Sequence, residues 1–213
     1  MHTLPSVLDP SERVQEITFG VLMALTFTGT FSVVNAGREE TSTMLTAALG
    51  CNLAWGLTDA VGYLVSTAVE RRRRATLLEK IQATPDRAEA HHLISGEMSD
   101  QVAAHADESA VEALRHNLER IPIPAVRFTL RDLAGALGVF LLVVAATFPV
   151  ALPFLVIGDP VRALRVSNGL ALATLFAGGF YLGRYSGGSP LRYGLAMTAL
   201  GVVVVAIIIA LGG

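Results

Sequence analysis

Five long apolar stretches run along the chain, broken by one extended polar interval and by short links rich in Gly, Pro and charge. A helix crossing a hydrocarbon core of about 30 Å needs about 20 apolar residues at 1.5 Å each. The stretches that meet this length are roughly 16–36, 42–69, 132–157, 163–184 and 191–211. The third and fifth hold charge-free runs, LAGALGVFLLVVAATF and VVVVAIIIAL. The first two carry more polar residues, so they are expected to face other helices rather than lipid. The joints fit this division. Gly37-Arg38-Glu39-Glu40 predicts a tight polar turn between the first two helices, Gly158-Asp159-Pro160 closes the third, and Gly187-Gly188-Ser189-Pro190 divides the last two. Gly and Pro stop helices for steric and donor reasons.

The polar interval reads as helical. Thr84-Pro85 predicts a helix start, because Pro at the first helical position loses no hydrogen bond. Ser109 with Glu112 matches a capping box. Val111, Leu114, Leu118 and Ile121 recur at helical spacing until Pro122 and Pro124 end the pattern. That stripe must bury itself against another insert helix, the extension of the second helix, or a second subunit. The expectation is an all-α integral membrane protein of about five transmembrane helices, with a helical cytoplasmic insert between helices two and three. Its parts are an N-terminal segment (1–15), a transmembrane hairpin (16–69), the insert (70–131) and helices three to five (132–213).

Composition supports the membrane reading. Hydrophobic residues make up 52 % of the 213 and charged residues only 16 %, against about a quarter in soluble domains; mean hydropathy is +0.54. Ten of the 16 Lys and Arg fall between Glu70 and Arg131. Lys and Arg near membrane ends mark the cytoplasmic side, so Arg71–Arg74 and Arg127 with Arg131 make the insert cytoplasmic. The N-terminus is then cytoplasmic and the C-terminus outside. Arg184 and Arg192 agree with this orientation; Arg162 and Arg165 oppose it and are outnumbered. The run Arg71–Arg74 reads as a topology anchor that also suits anionic lipid. The first residues lack a basic n-region before the apolar run, so a retained helix is expected instead of a cleaved signal. Net charge is −2, which leaves no global basic field for nucleic acid. The single cysteine, Cys51, excludes an internal disulfide and any multi-cysteine metal site.

Asp59 is the strongest chemical signal. A carboxylate inside a bilayer needs a partner, water or a cation, and such residues mark ion or proton paths. Asn52, Trp55 and Asp59 follow at i, i+3 and i+7, on one helix face. The alternative is a structural hydrogen bond between helices, with Asp59 satisfied by a Thr or an Arg. Glu16 at the start of helix one fits either the helix dipole or a pore entrance. Met23, two turns further in, fits packing or a soft cation. Thr26, Thr28 and Thr30 are expected to bond between helices, and Gly179, Gly183 and Gly187 to form a small-residue seam. Pro149 and Pro153 each remove a backbone donor inside helix three, giving either a kink or free carbonyls at a pore. Asn168 is a second intramembrane amide. In the insert, Glu112 with His116 and His105 with Glu108 stand at metal-sharing spacings, although solvated helix faces produce such pairs too. No phosphate loop, dinucleotide fingerprint, zinc-protease motif or nucleophile elbow is present, and no nucleophile–base pair presents itself, so no enzyme is expected.

The order of parts resembles the vacuolar iron transporter family of Fe²⁺/Mn²⁺ carriers. FPVALPFLV is similar to that family's two-proline closure of helix three, and GGFYLGRYSGGSPLRYGLAMTALGVVVVAIIIALG to its glycine-rich helix four, link and last helix. RVQEITFG and GYLVS resemble its entry to helix one and its end of helix two. The chain departs from the family at the Asp-Gly pair of helix one, where Met23 and Ala24 stand, and at the Gly-Glu before Tyr63. The insert also lacks the family's Glu-x-x-Glu pairs. The resemblance implies a homodimer that carries a divalent cation such as Fe²⁺ or Mn²⁺ by alternating access. The cation is cargo and not a resident cofactor, near Asp59 and Asn52 with Met23 or Glu16, and Asp59 exchanging it for a proton would give antiport. A bacterial inner membrane is the expected location. The alternative is a non-transporting scaffold or sensor whose insert binds a partner.

Overall fold

The computed structural model describes residues 10–30 and 38–210. Most of the N-terminal segment, the end of the first predicted helix with Gly37 of its turn, and the last three residues lie outside the described residues. Those described form eight helices and no strand: α1 (Pro10–Thr30), α2 (Arg38–Ala83), α3 (Arg87–Ser95), α4 (Asp100–Ala103), α5 (Glu108–Leu118), α6 (Leu130–Val156), α7 (Pro160–Tyr185) and α8 (Pro190–Ala210). Among the described residues, three helices are long and apolar enough to cross a membrane: α6, α7 and α8.

The chain divides into two compact units, one built from residues up to Tyr63 and from Leu130 onward, the other from Leu64–Thr129. The helix α2 contributes to both. In the first unit α1 packs against α6, α7 and α8, and α7 packs against both α6 and α8. Val21, Leu25, Val150, Ala171 and Leu175 are buried together at its centre. Close approach depends on glycine. A methyl at Gly179 would stand 2.5 Å from the Tyr193 carbonyl oxygen, and one at Gly183 2.8 Å from Pro190 Cα. These two residues form the expected seam with α8. Gly187 does not belong to it: nothing lies near its missing side chain, and its φ of +71° makes it the left-handed residue that turns the chain between α7 and α8.

Gly158-Asp159-Pro160 works as expected. Asp159 caps α7 by accepting from the Val161 amide at 3.0 Å, with Pro160 in the first turn. The helix α6 continues through Pro149 and Pro153. Each ring removes the donor that would serve the carbonyl four residues back, namely Ala145 and Pro149. The Ile157 amide re-enters the pattern on Pro153 O at 2.8 Å.

In the second unit, Ile81 of α2, Ile94 of α3 and Val111 of α5 form a small core with Leu77, Leu93, Met98 and Leu118 around it. The amphipathic stripe therefore finds its cover within the insert. It is narrower than the spacing predicts, since Leu114 and Ile121 stay exposed. The Gln82 amide donates to Leu118 O at 2.9 Å and Ile121 O at 2.8 Å, tying α2 to the end of α5, where Leu118 O also accepts from the Ile121 amide at 3.2 Å. The helix starts differ from expectation. Asp86, not Thr84-Pro85, caps α3 through the Ala88 amide at 2.9 Å. The predicted capping box does not form: Asp107 is the N-cap of α5, and Ser109 Oγ donates to its carboxylate at 2.8 Å. An Asp two residues before the first amide competes well with Ser or Thr for that position.

Candidate functional site

The seam between α1 and the first part of α2 collects the polar groups. The Glu16 and Asp59 carboxyls lie beside each other. Two carboxyl groups so placed can bond only with a proton between them, because an ionised carboxylate has no donor. Even so, Glu16 Oε2 and Asp59 Oδ2 are buried without a hydrogen-bond partner. Thr58, beside Asp59 in the sequence, donates to Ala54 O of its own helix at 2.9 Å.

Asn52 is fully buried. Its Nδ2 donates to Val143 O at 3.1 Å and to Thr147 Oγ1, which in turn donates to Val144 O at 2.8 Å. Asn52 Oδ1 has no partner. Gly20 of α1 reaches the same place, since a methyl there would stand 2.9 Å from Val143 O. Three helices thus converge on Asn52, and only Gly at position 20 permits it. Trp55, expected on the same face, is 46 % exposed; the inward face of α2 runs through Asn52, Gly56 and Asp59 instead, with Gly56 against Phe140.

Met23 meets Cys51: Sγ lies 3.9 Å from Sδ. Thr26 donates to Leu22 O and Thr28 to Ala24 O, so both bond along their own helix, the option open to any Thr with a carbonyl four residues back. Between α6 and α7 the polar crossing is made by Ser167, which donates to Val150 O at 2.7 Å, and not by its neighbour Asn168. A cleft of about 700 Å³ opens between the start of α2 and the proline half of α6, lined by Ser42, Thr46, Leu49, Thr147, Phe148 and Leu152 among others. Its wall reaches Thr147, the partner of Asn52, and not Asp59.

The insert residues do not assemble as the sequence spacing suggests. Glu112 accepts from His91 Nε2 at 2.5 Å and pairs with Arg87 at 3.1 Å, away from His116. The bond from His91, with further attraction from Arg87 and Arg115, holds the Glu112 carboxyl below its ordinary range despite a smaller opposing effect of desolvation. His116 contacts Arg120 at 2.8 Å and Glu119 at 3.6 Å. His105 contacts Gln101 O at 2.9 Å, and Glu108 stands 3.9 Å from Arg87. Among the described residues, no three His, Cys, Asp or Glu side chains gather to hold a metal. The basic run beside the insert is also engaged: Arg72 with Glu79, Arg73 with Glu70 and Glu97, and Arg74 with Glu70.

Two features escape sequence reasoning. Cys51 carries no signal of which helix it faces. Asp132 is only 3 % exposed in the first turn of α6, although beside Arg131 it reads as part of a charged membrane border. No family model and no curated relative matches the chain. The fold and this geometry define an all-helical protein with three helices able to cross a membrane and a polar seam between α1 and α2.

Proposed function

We propose that the protein is a membrane carrier of a divalent metal cation such as Fe²⁺ or Mn²⁺, as the resemblance to the vacuolar iron transporter family suggests. One observation carries this reading. Among the described residues, the buried side-chain polar atoms without a partner are three oxygens, on Glu16, Asn52 and Asp59. All belong to α1 or α2, and all are acceptors. Buried acceptors without donors are costly in a low-dielectric interior, and a cation between Glu16 and Asp59 would satisfy their two oxygens, with Asn52 two turns further along α2.

In this reading α1 and the first part of α2 join α6, α7 and α8 as five spans, the insert is cytoplasmic, and the C-terminus lies outside. The Glu16–Asp59 pair takes the cation and gives up the proton between the two carboxyls, which makes proton antiport the natural coupling. Pro149 and Pro153 leave the Ala145 and Pro149 carbonyls free for an ion further along α6. A homodimer in a bacterial inner membrane is the accompanying expectation.

The alternative is a scaffold or sensor, in which Asn52 ties α2 to α6 and the insert binds a partner. The Asn52 bonds to Val143 and Thr147 favour it. Vesicle flux separates the two. Wild-type protein in liposomes should take up Mn²⁺ faster than empty liposomes, and Glu16→Gln or Asp59→Asn should cut that rate at least tenfold. Equal rates for wild type and both variants would rule out a carboxyl-pair carrier.

A further inference from the structure

We propose that Met23 and Cys51 form a soft-cation site two helical turns along the same seam from the carboxyl pair, and that it favours Fe²⁺-like and softer divalent ions over Mn²⁺, Mg²⁺ and Ca²⁺; its role in cargo selection rests on the carrier reading. Met23 follows Glu16 by seven residues and Cys51 precedes Asp59 by eight. At 1.5 Å per residue these are offsets of about 10.5 and 12 Å. On two antiparallel helices, Glu16 opposite Asp59 then puts Met23 opposite Cys51, and the 3.9 Å separation of the sulfurs fits that register. The two pairs are steps on one seam.

The separation also fits an ion. Two sulfurs each about 2.3 Å from one tetrahedral metal stand about 3.8 Å apart. The sulfurs therefore need almost no movement to share a cation. Asn52, next to Cys51 on α2, is fully buried with Oδ1 unpartnered and its amide nitrogen held by α6. Its place at the junction with α1 follows from Val143 O, which meets both the Asn52 amide and the backbone of Gly20, three residues before Met23. Thiol and thioether sulfurs prefer softer metals, whereas an all-oxygen site suits Mg²⁺, Ca²⁺ and Mn²⁺. On binding, the sulfur–metal bond replaces the thiol S–H bond and the proton leaves to water.

Cys51 is the sole cysteine, so maleimide labelling of the full chain reports on it alone. Micromolar Cd²⁺ should slow labelling at least tenfold, equal Mg²⁺ should not, and Met23→Leu should abolish the protection. In liposomes, Cys51→Ser should lower the ratio of Cd²⁺ to Mn²⁺ uptake at least tenfold. Protection that survives Met23→Leu, or labelling indifferent to Cd²⁺, overturns the sulfur pair. Vesicles that move no cation while Cd²⁺ still protects Cys51 through Met23 keep the site and sink the carrier reading; Mn²⁺ flux without Cd²⁺ protection does the reverse.

Discussion

Glu16 and Asp59 each bury one oxygen that nothing donates to, even though their carboxyls touch. Asn52 repeats the pattern, with its amide nitrogen used twice and its oxygen not at all. The two cases predict different consequences. Asn52 links α2 to α6, so Asn52→Ala should lower the stability of the solubilised protein by roughly 0.6–1.7 kcal/mol, the span of interhelical hydrogen bonds in membranes. Chemical unfolding in mixed micelles would measure it. Thr147→Val should cost less, because Asn52 Nδ2 keeps Val143 O as its acceptor and Val144 O loses only a second donor. Asp59→Asn, by contrast, should leave stability unchanged or raised, since it supplies a donor where two carboxyls meet. A marked loss of stability would show that the pair holds helices together. The carboxylate at 59 was legible in the sequence because lipid tolerates few charges. Its partner was not: the sequence pattern puts Glu16 at a helix start, where the dipole would explain it, whereas α1 begins at Pro10 and holds Glu16 in its second turn.

At the scale of elements, glycine sets how closely α7 and α8 approach. Gly179→Ala would drive a methyl into the Tyr193 carbonyl at 2.5 Å, backbone that cannot rotate away, and should cost about 1–3 kcal/mol. The same change at Gly178, with open contact to Val14 at 3.5 Å, should be near neutral; comparing their unfolding midpoints tests the seam. In the insert, His91, Arg87 and Arg115 hold Glu112 in its charged form. A carboxyl depressed in the folded state stabilises above its unfolded pKa and loses that contribution as pH falls through the folded one. Amide protection in α3 and α5, taken relative to the intrinsic exchange rate at each pH, should therefore be greater at neutral pH than below the ordinary carboxylate range, and Glu112→Gln should flatten the difference. The ends of α6, α7 and α8 could be read within about three residues from the sequence because Gly and Pro punctuate them. The insert was less legible. Thr-Pro and Ser-x-x-Glu are sound start signals, but an adjacent Asp took the N-cap position in each case, with a side-chain capping bond at Asp86 and none at Asp107. Period alone could not tell that Val111 turns inward while Leu114 stays in solvent.

Across the whole molecule, the apolar stretches on either side of the polar interval announced long helices, and three of them meet the length and hydropathy of a membrane span. The first two stretches were harder to place. Their polar residues, the same that suggest function, lower their apolarity. If α1 and α2 also span, a reporter inserted at Gly37 should be active only outside the membrane and one inserted near Asp107 only inside. Both reporters on one side would show that α2 does not cross. The central claim is that the α1–α2 seam exists to receive a cation. Titrating purified protein with Mn²⁺ and following free ion by electron paramagnetic resonance tests it most directly. The account predicts bound Mn²⁺ on the wild type that disappears in the Glu16→Gln, Asp59→Asn double variant. Identical titrations for the two proteins would contradict it.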